Sequence, residues 1–146
     1  MTTVREGGRA GPAPVTVVPK AYDLVLWLVP RVNEFPRAQR FVLGDRIETT
    51  ALDLLDLLVE AQYRKDKLDL LWRANLTLVR LRHLLRLAND LHLLGGRRHE
   101  FVSERIEELG RMVGGWTRQQ RGRSRGPRAP DPMPAEMNGE DAPPPV

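Results

Sequence analysis

The chain has 146 residues, no cysteine and a formal net charge of +4. That length implies about one domain, and the missing thiols exclude a disulfide framework and a thiolate metal site. No apolar run approaches the roughly 20 residues needed to cross a bilayer, and the N-terminus lacks the apolar centre of a secretory signal, so a soluble, cytoplasmic protein with no membrane partner is expected. Among the 23 basic residues only Lys20, Lys65 and Lys67 are lysine. The guanidinium fork suits phosphate, although a GC-rich genome would produce the same bias.

Residues 1–19 are rich in Gly, Pro and small side chains and read as a flexible arm. The first helix is expected from about Lys20 to Phe35, with Leu24, Trp27, Leu28 and Val32 on one face, a bend at Pro30 and a stop at Pro36. The second spans about Arg40 to Tyr63. Leu43, Ile47, Ala51, Leu54, Leu55 and Leu58 keep helical spacing, and Asp45, Thr49, Asp53, Asp56 and Glu60 lie opposite. Asp66 is the expected N-cap of the third helix, which runs to Leu94 before a Gly95-Gly96 stop. The fourth covers about His99 to Arg121, with Phe101, Ile106, Leu109, Met112, Val113 and Trp116 as its buried face. Residues 122–146 hold seven of the twelve prolines and read as a disordered tail. No segment alternates with period two. Long helices with short connections predict an all-α, antiparallel four-helix bundle over residues 20–121.

The third helix is the unusual one. At 100° per residue, Leu71, Ala74, Leu78, Leu81, Leu85 and Ala88 form a core stripe. Trp72, Leu76, Val79, Leu87 and Leu94 form a second apolar set on the far side. Either this helix is central to the monomer's own core, or the second set is a subunit interface. Asn75, Arg82, Arg86 and Asn89 sit between the two faces. Arg82 and Arg86, one turn apart, could bind phosphate or pair with an acid such as Glu48.

Other basic groups are Arg64, Lys65 and Lys67 before the third helix, Arg97 and Arg98 after it, and a run of six arginines between Gly110 and Pro130 that includes Arg118 and Arg121. That run contains no acid. It suits either the helix dipole or a nucleic-acid arm. The two connecting loops should fall at opposite ends of the bundle, spreading positive charge along the body. Catalytic chemistry finds little support. His83, His92 and His99 do not share a helical metal-binding spacing, and there is no phosphate loop, nucleophile elbow or metalloprotease motif. No catalytic residue, metal or cofactor is expected.

The runs Phe35-Pro36-Arg37 with Arg40-Phe41, Leu43-Gly44-Asp45-Arg46-Ile47, Leu81-Arg82-His83-Leu84-Leu85-Arg86-Leu87-Ala88 and Gly110-Arg111-Met112-Val113-Gly114-Gly115-Trp116 together resemble the Avd proteins, the accessory variability determinants of diversity-generating retroelements. Ribosomal-RNA intervening-sequence proteins share their helical fold. The resemblance covers about residues 20–120. It implies a four-helix bundle assembled into a homopentameric barrel. It also implies a non-catalytic role: binding the element's reverse transcriptase and template RNA during mutagenic cDNA synthesis. It makes Arg82 and Arg86 the leading contact candidates, followed by Arg37, Arg40 and Arg46, which could equally pair with acids. The chain departs from the family in its modest net charge, its acidic second helix and its Pro-rich ends. The alternative is a helical protein–protein module that binds no nucleic acid.

Overall fold

The computed structural model describes residues 14–125, with side-chain surroundings from 16 to 123. Four long helices dominate: α1 (Pro14–Asn33), α2 (Asp45–Tyr63), α3 (Leu68–Asp90) and α4 (Gly96–Arg125). The described residues contain no strand. Each helix packs against two others, giving the cyclic order α1, α2, α3, α4; the seam between α4 and α1 is the thinnest. Among the described residues, no helix is long and apolar enough to cross a membrane.

Helix α1 starts six residues before the expected Lys20. Pro14 is its first residue, a position where the missing N–H has no intrahelical role and the fixed φ suits the helix. Val17 is fully buried, followed by Ala21, Leu24, Leu28 and Val32 along one stripe. Residues 14–19 therefore belong to the bundle; the rest of the expected arm lies outside the described residues. Pro19 and Pro30 both lie on the exposed side, where water can serve the carbonyls they leave unpaired.

After Pro36 the chain makes a helical turn at Arg37–Gln39, then a π-helical segment at Arg40–Gly44 that runs into α2. The second helix was expected as one regular piece from Arg40. The wider π turn instead turns Phe41 and Val42 to solvent and Leu43 inward. Gly44 allows this segment to lie on α1: a Cβ there would stand 2.8 Å from Val32 Cγ1. Ile47, Ala51, Leu54, Leu58 and Ala61 continue the core stripe, while Leu55 is only half-buried. Thr50 and Thr77 are buried polar residues whose hydroxyls donate to the Arg46 and Arg73 carbonyls at 2.7 and 2.8 Å.

Both ends of the third helix differ from expectation. Lys67, not Asp66, occupies the N-cap position, without a side-chain cap bond. At the other end α3 stops at Asp90, because His92 adopts φ 63°. The Leu93 N–H then reaches the Ala88 carbonyl and the His92 N–H reaches that of Asn89, both at 2.9 Å. This pair of bonds is a Schellman cap. Gly95, at φ 98°, turns the chain into α4.

Leu94 must be corrected. It lies beyond α3 and is only 5% exposed, plugging the chain's own core. It cannot belong to an outward face of that helix. Phe101 is corrected too: Val102 fills the buried position of α4, in register with Ile106, Leu109, Val113 and Trp116, and Phe101 is 40% exposed. Helix α4 also continues past Arg121 to Arg125, so residues 122–125 of the expected tail are helical, and residues 126–146 lie outside the described residues.

Candidate nucleic-acid interface

At the end of the bundle where α2 hands over to α3, the antiparallel course of α4 brings its last turns alongside. Two basic groups distant in sequence meet there. Lys67 Nζ sits 5.3 Å from the ring centre of Trp116, which is 2% exposed and anchors α4 in the core. Burial, and then the nearby charge of Arg123, push the Lys67 ammonium below its ordinary pKa. Arg121 keeps a buried Nε with no hydrogen-bond acceptor among the described residues. Arg118 is exposed and folds back along α4, where Gly114 leaves room for its guanidinium. Arg64 pairs with Glu60 at 2.8 Å, and Lys65 is exposed. The C-terminal dipole of α4 favours these cations, but only one of them has a carboxylate partner among the described residues.

Arg82 and Arg86 are exposed on one flank of α3. Neither makes an ion pair or hydrogen bond among the described residues, so the pairing with Glu48 considered from sequence is not formed. On the opposite flank Arg80 is likewise exposed and without an ion pair, and Arg73 lies 3.5 Å from Asp69. Between the flanks, Trp72 (38% exposed) and Leu87 (47%) face solvent with the half-buried Leu76 and Val79. The second apolar set, without Leu94, is thus left uncovered by the described residues. The half-buried Asn75 and Asn89 border it.

Arg37 and Arg40 lie at the other end of the bundle, where Arg98 of α4 ties Glu34 at 2.9 Å. Both guanidiniums sit over the exposed Phe41 ring, at 5.6 and 5.9 Å from its centre. Arg46 is exposed. None of the three pairs with an acid among the described residues. The predicted basic residues therefore form a group at each end and a pair along α3, not one cleft. Among the described residues, no three of His, Asp and Glu gather as a metal site.

A sequence profile described as bAvd-like matches residues 15–120, all but the extremities of the bundle. The chain belongs to the bAvd-like family. No curated protein and no solved structure matches it. A bAvd-like chain is an Avd-type accessory protein, and the match takes in Arg37, Arg40, Arg46, Arg82, Arg86 and Arg118 while stopping just short of Arg121 and Arg123. Sequence reasoning missed Arg73 and Arg80, and placed Arg123 only in the arginine run beyond the fourth helix. Both could have been found on the same helical projection that singled out Arg82 and Arg86, because Arg73 and Arg80 are seven apart and share a flank. Arg123 needed the true length of α4.

Proposed function

We propose that this bAvd-like chain is a non-catalytic accessory of a diversity-generating retroelement. In this reading it binds the element's template RNA and cDNA together with the reverse transcriptase, and it does so as a homopentamer. The observation that carries the reading is the outer surface of α3, where Arg80, Arg82 and Arg86 have no acidic partner among the described residues and border an apolar strip that those residues leave open. Exposed guanidiniums of this kind suit the phosphates of a polyanion.

Assembly has a complementary surface available. The outer side of α2 exposes Leu52, Val59 and Tyr63 among Asp53, Asp56 and Glu60. The apolar side chains of these two outer faces suit a head-to-tail contact between copies, which closes into a ring when the rotation between copies permits. Trp72, Leu76, Val79 and Leu87 would be the α3 side of that contact, with the arginines at its rim.

The test is salt-dependent retention of structured RNA by the full chain, with Arg82→Ala/Arg86→Ala as the variant. Binding should weaken steeply with salt, as expected when phosphates exchange small cations for arginine. The variant should bind more weakly with an unchanged helical circular-dichroism signal. A second reading, a protein–protein module without nucleic-acid binding, draws on the same exposed apolar side chains. Light scattering showing a stable monomer, together with no salt-sensitive RNA retention, would favour it.

A further inference from the structure

The thin seam between α1 and α4 opens into a groove of about 490 Å³. Trp27 and Phe101 meet across it with ring centres 5.1 Å apart and planes tilted by 38°. Each ring carries a guanidinium: Arg31 lies 4.9 Å from the centre of Trp27, and Arg105 lies 5.0 Å from that of Phe101. Below them Lys20 clamps Glu108 at 3.0 Å, and Arg105 Nε approaches the same carboxylate at 3.8 Å. Of the two acids lining the groove, Glu108 is thus already engaged by two cations, while Asp23 is exposed and makes no ion pair among the described residues. Arg31 has no ion pair among the described residues, and its buried Nε has no acceptor.

We propose that this seam is a pocket for an unpaired nucleobase of single-stranded nucleic acid. The proposal rests on the nucleic-acid reading above and specifies which form of the polymer is gripped at this place. Planar guanidinium and aromatic surfaces at the mouth of a groove are the surfaces on which bases stack. Arg31, which makes no ion pair among the described residues, supplies a guanidinium beside them for a phosphate or a base edge. A docking helix would need a continuous apolar strip, but charged side chains interrupt this groove on both walls. A base inside a duplex cannot enter, because its faces are already stacked.

The experiment compares binding of the full chain to single-stranded polyadenylate RNA and to the duplex of that strand with polyuridylate, at one salt concentration. The variants are Phe101→Leu and Arg105→Gln. Both side chains are substantially exposed, and circular dichroism checks the fold. Phe101→Leu should weaken single-strand binding about tenfold, the scale of one lost stacking contact, and leave duplex binding unchanged. Arg105→Gln should act in the same direction. Single-strand binding should quench tryptophan emission, and Trp27→Phe should remove much of that quenching. Equal losses on both probes, or none, would overturn the proposal. So would a change of assembly state in sedimentation of Phe101→Leu, which would make the seam a contact between copies. If the unaltered chain binds neither probe, the nucleic-acid reading falls with it. If Arg82→Ala/Arg86→Ala weakens both probes while the groove variants do nothing, only the pocket is wrong.

Discussion

His92 holds a backbone conformation that glycine adopts freely and other L-residues adopt at a cost of roughly 1–2 kcal/mol. Glycine there would relieve that strain and give back part of the gain by loosening the unfolded chain. His92→Gly should therefore stabilise the bundle by about 0.5 kcal/mol, read as a rise of about 3 °C in thermal midpoint. Gly44 is the opposite case. Its missing side chain is what allows the π segment to approach Val32, and a methyl 2.8 Å from Val32 Cγ1 must push something aside. Gly44→Ala should cost about 1–3 kcal/mol by overpacking. Trimming the neighbour in the double variant Gly44→Ala/Val32→Ala should recover part of it, so denaturant melts of the four proteins should be non-additive. Neither position announced its role in the sequence. The visible stop signal after α3 was Gly95-Gly96, while the turn that ends the helix falls on a histidine. The tight contact of Gly44 depends on a neighbour twelve residues away in the chain.

At the level of elements, the stripes of α2, α3 and α4 were legible because their apolar residues repeat at three and four. Two features were not. Prolines near the start of α1 looked like a linker, though in a first turn and on a solvent face they do little harm. The boundary between core and groove on α4 shifted by one residue, because Phe101 and Val102 are adjacent and hydrophobicity alone does not rank them. That shift matters, since the α1–α4 seam is held at its edges by charge. Glu34 is drawn below its ordinary pKa of 4.5 first by the hydrogen bond from Arg98, and Glu108 first by that from Lys20. An acid depressed in the folded state contributes stability above its unfolded pKa and loses it as pH falls through the folded value. The contribution is therefore present at neutral pH and fades below 4.5. Hydrogen exchange should show amides of α1 and α4 losing protection ahead of those of α2 and α3 as the solution is acidified through that range. In Glu34→Gln/Glu108→Gln the pH dependence of seam opening should flatten.

For the whole molecule, charge is the quantity to follow. A chain of +4 is a modest ligand for a polyanion, but a ring of five would carry +20. The distribution was partly legible: two connecting loops at opposite ends follow from antiparallel helices. That the first of them meets the end of α4 follows from the same order, since Lys67 lies over Trp116; the approach of Arg123 could not be read, because it depends on α4 continuing past Arg121. At that meeting point Lys67 is held over Trp116 and near Arg123, with its ammonium disfavoured by burial first and by that neighbour second. Below its depressed pKa the lysine carries a charge that the folded state tolerates less well than the unfolded one. The unfolded chain therefore binds more protons in the interval up to the ordinary value of 10.5, and stability rises with pH across it. Lys67→Met keeps the length and apolar stem over Trp116 and removes the charge. It should leave the free protein at least as stable at neutral pH and abolish the alkaline rise in thermal midpoint. Phosphate beside Lys67 would reverse the preference, so RNA binding to the unaltered chain should take up protons at alkaline pH, measurable by calorimetry in buffers of different ionisation heat. In the variant that uptake should shrink, and the salt dependence of binding should fall by about one ion for each chain engaged at this end. A variant that gains stability and loses RNA affinity would mark Lys67 as a residue held against the fold's own interest; one that loses both would make it a structural prop for Trp116.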